Sequence, residues 1–392
     1  MSIRGVLAVL AALLIAVQVV RNAAVMALAE TRPAAAAKVW SSHPATEISG
    51  GMVEIARAAR DGHPVSQSAF AAMADAAVKE PLSPEPFLVR GVRAQLAGDE
   101  ATAQRAFEAA QWRDPRSLPA AYFLADRYLK IGDTPRGLRE IAALARLSPG
   151  GPQTVGPYLA AYARNPANWP ALRSLFRSNP GLADPALIAL ASNVETAPAV
   201  LALAGPEKSP AEGHWLEPLL NTLTQAGRYA QARAIWARAA GVQPQPGELL
   251  HDAAFSDRSS PGPFNWVLTS STVGLAERQP GGRLHVIFYG QEDGFLASQL
   301  LLLTPGTYRL SMQLLGDPAH ARALNWSLWC DKAGGALVSA TLDSVAARGL
   351  RFEVPRGCSA QWIRLAGSSS DMPQQIDVTI AGLKLEKAGS GA

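Results

Sequence analysis

A glycine, two small residues, a large apolar residue and a proline recur along this chain at fixed offsets, and no other feature restricts the fold as much. Ala103, Phe107, Ala110 and Pro115 stand 5, 9, 12 and 17 positions after Gly98, and Ala232, Trp236, Ala239 and Pro244 stand at the same offsets from Gly227. Between them, Gly132, Gly137, Ile141, Leu144 and Pro149 follow the first set at an interval of 34. An interval of that length is one helix–turn–helix unit. Glycine suits the tight turn, because it alone enters left-handed backbone without steric cost. Ala103 and Ala110 let the second helix approach the first, Phe107 fills the gap between them, and Pro115 ends the pair. The register predicts helices from about Glu85 to Leu96 and from about Glu100 to Trp112, with Tyr128 in the next first helix. Such pairs bury their apolar faces only against neighbours, so several must stack.

These offsets resemble the tetratricopeptide repeat family over about residues 45–246, most closely in 84–149 and 213–244. In 45–83 and 150–212 the likeness is looser, with helices such as GPYLAAYARNP and DPALIALASNV set apart by proline and glycine. Gly91 fits the family's small first-helix residue, whereas Ala125 and Leu220 depart from the theme. The resemblance implies an α-solenoid over 31–246 that recruits a protein partner in its concave groove.

The N-terminal stretch MSIRGVLAVLAALLIAVQVVRNAAVMALAE, residues 1–30, is apolar from Gly5 to Val20 and again from Ala23 to Ala29. Two readings stand. A signal peptide would be cleaved at Ala27-Leu28-Ala29; an uncleaved anchor would cross the bilayer, for which about 20 residues suffice, with Arg21 snorkelling to the outer interface. Because that cleavage site lies far beyond the main apolar core, the anchor is the favoured reading. It makes the chain a single-pass inner-membrane protein with its bulk in the periplasm; the cleaved form would be soluble there. A buried soluble helix is the third possibility. Hydrophobic residues are 48% and charged residues 17% of the chain, enough apolar content for a large core. The net charge of +4 is small and the arginines are scattered, so no nucleic-acid surface is expected.

After residue 246 the pattern changes. The stretch GVQPQPGELLHDAAFSDRSSPGPF, residues 241–264, is rich in proline, glycine and serine, and 247–262 within it reads as a linker or covering loop. From Asn265 the period becomes two. GRLHVIFYG, GTYRLSMQLLG and ALNWSLWCD alternate, and SQLLLL, ALVSATL, LRFEV, AQWIRLAG and IDVTIAGLKLE follow suit. Eight to ten short strands with turns between them predict an antiparallel β-sandwich or jelly roll over 263–388. LTPGTYRLSMQLLG, with FNWVL at the start, resembles the carbohydrate-binding-module type of sandwich over roughly 255–388. Cys330 and Cys358 are the only cysteines. Two thiols make no tetrahedral zinc site and no histidine has ligand spacing to them, which leaves a disulfide in an oxidising compartment or two buried free thiols.

Catalytic signatures are missing: no nucleophile elbow, HExxH, phosphate loop or histidine cluster. The histidines (His43, His63, His214, His251, His285 and His320) are dispersed. Glu292, Asp293, Asp317, Asp331 and Glu353 are the carboxylates from which a glycosidase pair would be drawn, and GQEDGF, Gly290–Phe295, reads as a turn or a calcium loop. No catalytic residue, cofactor or metal ligand is assigned. Strand parity puts Trp329 opposite Leu328 and Cys330, Trp362 with Arg364 opposite Ile363 and Leu365, and Arg309 with Gln313 opposite the apolar set of their strand. Aromatic faces and planar donors are what sugars need, so these five form the candidate glycan face; the competing reading puts the tryptophans under a loop or under the solenoid. The expected function is a non-catalytic envelope scaffold: a protein partner on the solenoid, and a glycan or second protein on the sandwich. By the two resemblances this suits surface-polysaccharide assembly. A purely structural adaptor and a periplasmic glycan-processing enzyme remain as alternatives.

Overall fold

The computed structural model describes residues 3–205, 213–243, 247–316, 318–333, 335–370 and 374–388. The chain divides into two compact units, the first running to Val155 and including Arg177–Leu182, the second taking Gly156–Phe176 and the chain from Ala183 on.

The first unit is helical: α1 Ile3–Ala29, α2 Pro33–Trp40, α3 Pro44–Asp61, α4 Gln67–Lys79, α5 Glu85–Leu96, α6 Glu100–Arg113, α7 Leu118–Lys130 and α8 Thr134–Leu147. The glycine register holds. Gly98 and Gly132 have φ of 75° and 81° in the turns after α5 and α7. Asp99 and Asp133 then cap the next helices, their carboxylates accepting from the N–H groups of Thr102 and Arg136. Ala103, Ala110, Phe107, Tyr128 and Ile141 are buried. Phe107 stacks on Phe123 of α7 with ring centroids 4.1 Å apart, so one residue fills the pair and joins it to the next. Tyr128 donates from its hydroxyl to Glu108; burial, with that hydrogen bond, pushes its pKa up to about 12. Pro115 and Pro149 are exposed in the connections; they end helix pairs and do not pack. The last turns of α1 belong to this core. Val25 and Ala29 are buried, α1 packs on α2 and α3, Arg21 Nε donates to Val39 O with its guanidinium over the Trp40 ring, and His43 Nε2 is 2.8 Å from Asn22 Oδ1.

Helix α9, Gly151–Tyr162, crosses the division, and α10 Trp169–Ser178, α11 Ala183–Ala191, α12 Ala197–Ala204, α13 Leu216–Gln225 and α14 Tyr229–Ala240 follow. Gly227, φ 75°, turns α13 into α14, and Ala232 and Trp236 are fully buried. Ala239 is only half-buried. Pro244 lies outside the described residues.

The second unit ends in the sandwich: β1 Val267–Leu268, β2 Gly274–Gln279, β3 Arg283–Phe288, β4 Gly294–Leu301, β5 Gly306–Gly316, β6 Leu324–Cys330, β7 Ala336–Thr341, α15 Leu342–Arg348, β8 Leu350–Val354, β9 Gln361–Gly367 and β10 Ile376–Lys387. They form two 5-stranded antiparallel sheets, ordered β1-β4-β9-β6-β7 and β2-β3-β10-β5-β8. One core lies between them, with Val286 and Phe288 of β3, Leu310 of β5, Trp326 and Leu328 of β6, Ile363 and Leu365 of β9 and Ile380 of β10. Cys330 and Cys358 are joined as a disulfide, Cα atoms 5.6 Å apart. The stretch 247–262 is folded onto this core: Leu250 and Phe255 are buried in it, and Pro261 O accepts from Trp236 Nε1 of α14 at 2.7 Å.

Candidate functional site

On β9, the alternation of Gln361, Ile363 and Leu365 inward sends Trp362, Arg364 and Ala366 outward. The neighbours on the same face follow from strand register. Leu300, Trp362, Trp329 and Ala336 form one row across β4, β9, β6 and β7. Ser298, Arg364, Ser327 and Ser339 form the next, and Phe295, Ala366, Asn325 and Thr341 the third. Trp329 and Trp362 are therefore directly opposed cross-strand partners. Arg364 sits between the aromatic rows, its guanidinium carbon 4.7 Å from the Phe295 ring centroid, 5.3 Å from Trp362 and 5.9 Å from Trp329. Both tryptophans and Arg364 are half-buried, while Phe295 is exposed.

Both indole N–H groups are used inside the protein. Trp329 Nε1 donates to Ser327 Oγ at 3.0 Å, and Trp362 Nε1 to Asp331 Oδ1 at 3.1 Å. The other oxygen of Asp331 accepts from the hydroxyl of Tyr229, the first residue of α14. Burial, and then the bond to Asp331, pushes the Tyr229 pKa well above the usual phenol range. Lys332 lies beside the same ring, 6.0 Å from its centroid. The α13–α14 turn thus rests against the β6–β7 connection and covers one margin of the face. Burial disfavours the Arg364 charge and lowers its pKa, and the nearby Asp331 offsets part of this. Among the described residues, no hydrogen bond or ion pair takes the Arg364 guanidinium.

Two of the five expected face residues are elsewhere. Arg309 and Gln313 lie on β5, in the other sheet. Arg309 Nη2 donates to Arg348 O at 3.0 Å, and a Cβ on Gly382 would stand 3.6 Å from the Gln313 amide carbon. Parity fixes which side of its own sheet a residue takes; it carries no information on which sheet the strand joins. Phe295, Asp331 and Tyr229 complete the neighbourhood and were not expected. A bulge between Phe295 and Ala297 hides Phe295 from simple alternation, and Tyr229 is 102 residues from Asp331.

Among the described residues the carboxylates do not converge. Glu292 accepts from the Thr272 hydroxyl; Asp293 accepts from Ser369 N and Oγ, which holds its carboxyl below the usual range; Glu353 is on β8 of the other sheet. Asp317 lies outside the described residues. Of GQEDGF, Gly290–Asp293 form the bend into β4, with Gly290 at φ 74°, and Gly294 and Phe295 already belong to the strand. Among the described residues no group of three or more His, Cys, Asp and Glu is placed to hold a metal. A second polar cluster binds 247–262 to the sandwich: His251 Nε2 is 2.9 Å from Asp257 Oδ2, and Gln299 Nε2 donates to His251 O. Burial alone would raise the Asp257 carboxyl, but its bonds to Ser260, His251 and Ser259 hold it well below the usual range.

The helical units also carry exposed apolar residues: Val92 and Leu96 on α5, Leu118 and Tyr122 on α7. Each pair is four residues apart, on one helix face.

No protein-family model matches the chain, and no curated protein matches it. Among solved structures, one titled MamA RS-1 ArsTM double mutant is 17% identical, with 50% of this chain and 94% of that one covered at a TM-score of 0.24. YrrB, titled a TPR protein with an unusual peptide-binding site, is 14% identical, with 44% and 93% covered at 0.24. The Naa15/Naa10 complex bound to HypK-THB is 15% identical at 0.25; 55% of this chain and 34% of that one are covered. TM-scores this low decide nothing about this chain, whose helix-pair repeat stands on its own glycines and alanines.

Proposed function

We propose that this chain is a non-catalytic scaffold anchored in the inner membrane, its bulk in the periplasm, whose helical repeats hold a protein partner and whose β4-β9-β6 face meets a glycan. Surface-polysaccharide assembly is the process such a pairing serves. One observation carries the anchoring. Helix α1 exposes Leu7, Leu10, Leu13, Leu14 and Val17 along its first turns but buries Val25 and Ala29 against the repeats. Cleavage after Ala29 would strip α2 and α3 of a packed helix and His43 of Asn22. A retained helix presents the apolar run Gly5–Val20, about 24 Å at 1.5 Å per residue, a few ångströms short of the hydrocarbon core, a mismatch met by bilayer thinning and snorkelling, and next to it Arg21 lies over Trp40, a basic and aromatic pair suited to the interface. The disulfide supports an oxidising compartment. For the partner, the support is the exposed apolar stripe of Val92 and Leu96 on α5 and of Leu118 and Tyr122 on α7. For the glycan, it is the opposed Trp329 and Trp362.

A second reading, a structural adaptor that binds no sugar, is favoured by the ties of Tyr229 to Asp331 and Trp236 to Pro261. The test uses the full chain purified from membranes of its own cells. Intact mass should include the N-terminal helix; a mature chain starting at Glu30 refutes the anchor. Trp329→Ala with Trp362→Ala should abolish retention on the cells' own polysaccharide while the far-ultraviolet circular dichroism stays unchanged. Unchanged retention moves the assignment to the adaptor.

A further inference from the structure

The glycan face holds a fixed cation, which suits a charged sugar better than a neutral one. Arg364 stands in the middle row with only Ser298, Ser327 and Ser339 beside it, a low polar strip between Phe295 on one side and the two tryptophans on the other. Phe295 and Trp362 start two rows apart on the sheet, but both rings reach the Arg364 guanidinium, at 4.7 and 5.3 Å, so the aromatic surfaces close in on the cation from two sides. Both indole N–H groups are already taken by Ser327 and Asp331. What the rings offer a ligand is therefore their faces. The charged donor beside them is Arg364, whose guanidinium lies against three rings and has no hydrogen-bond or ion-pair partner among the described residues. Asp331 does not fill that role, since its two oxygens accept from Trp362 and Tyr229. A preorganised fork of N–H donors matches a carboxylate in two parallel hydrogen bonds, and half-burial strengthens the pairing relative to a fully solvated one.

We propose that this face selects an acidic polysaccharide, a uronate-bearing chain whose carboxylate is taken by Arg364 while neighbouring sugar rings stack on Trp329, Trp362 and Phe295. The proposal rests on the glycan reading of the face and adds the chemical class of the sugar. An acidic peptide satisfies Arg364 equally well; the flat sheet face and paired indoles favour stacked sugar rings over an extended peptide.

The experiment is affinity electrophoresis of the full-length, detergent-solubilised protein through gels containing alginate, polygalacturonate, dextran or dextran sulfate. The chain is basic, with a pI near 9.2, so a general polyanion must be included, and Arg351→Gln on the other sheet serves as a charge-matched control. Alginate or polygalacturonate should retard the protein and dextran should not. Arg364→Gln should weaken that retardation at least tenfold, Arg364→Lys by less, and Arg351→Gln should leave it unchanged; Trp329→Ala should weaken it with Arg364 intact. Retardation by dextran as strong as by the polyuronates, indifferent to Arg364→Gln, overturns the acidic selectivity while the glycan reading stands. Equal loss in Arg364→Gln and Arg351→Gln, or dextran sulfate retarding the protein as strongly as either polyuronate, reduces the effect to net charge and overturns the proposal. No retardation by either polyuronate overturns it as well, and if soluble poly-glutamate then binds in an Arg364-dependent way, the glycan reading falls with it.

Discussion

Gly91 and Phe107 test the helix-pair register quantitatively. Glycine inside a helix costs about 1 kcal/mol relative to alanine, so on propensity alone Gly91→Ala should stabilise α5. The packing opposes this. A Cβ at position 91 would stand 2.8, 2.9 and 3.0 Å from three carbons of the Phe107 ring. That ring cannot retreat, because Phe123 stacks on it at 4.1 Å and it is 2% exposed. Overpacking of this kind costs about 1–3 kcal/mol, so in the parent chain Gly91→Ala should range from neutral to a loss of about 2 kcal/mol once the propensity gain is set against it. In a Phe107→Leu background the ring edge is gone. There the same substitution should stabilise by up to about 1 kcal/mol, and the coupling between the two sites should be about 1–3 kcal/mol. The chain has two units, so a global melting curve mixes transitions. Native-state hydrogen exchange on peptides from α5 and α6 reads the local opening energy. A cycle that closes to zero within about 0.5 kcal/mol, or Gly91→Ala stabilising the parent by its full propensity gain, would falsify the register.

Cys330 and Cys358 should take up an alkylating reagent only after reduction. Opening that link, with a sequence separation of 28, should cost the sandwich about 3–4 kcal/mol on the loop-entropy account; free thiols in protein purified under oxidising conditions contradict it. His285 lies on the outer face of the second sheet, 3.1 Å from Glu277 and 2.8 Å from Asp377. Burial alone would lower its pKa, but these two carboxylates outweigh it and the folded-state value is raised above 6.5. The stabilisation it lends is therefore complete below pH 6.5 and disappears as pH rises through the raised value. An NMR titration should show the elevated pKa, and His285→Gln should flatten the pH dependence of sandwich stability above 6.5; a titration at or below 6.5 refutes the assignment.

The helix pairs could be read from sequence because their constraint is local. A turn that needs positive φ demands Gly98, Gly132 and Gly227, and close helix approach demands Ala103 and Ala110. Residue parity within β5, β6 and β9 was readable for the same reason. Sheet membership was not, and so Arg309 and Gln313 were grouped with residues on the opposite side of the core. Strand β2 escaped notice because its inward positions are Gly274 and Ala276, too small to print a hydrophobic alternation. The terminal helix α15 was absorbed into ALVSATL, whose last residue begins it. The composition of 247–262 pointed to a loop, while its two buried anchors, Leu250 and Phe255, are too few to mark a packed segment. The Tyr229–Asp331 tie joins elements whose separation no local pattern spans.

The unbroken run of α1 into the packing of α2 and α3 has a mechanical consequence. A membrane segment joined to its domain by a loose chain lets that domain swivel and sweep a hemisphere. Here the last turns of the segment are locked in place by Val25, Ala29 and Asn22, so a bilayer gripping Gly5–Val20 would fix the height and bearing of the first helix pairs. A partner in the same membrane would then meet the α5–α7 stripe at a set elevation, as a key meets a lock on a door already hung, and much of its orientational search would be over before contact.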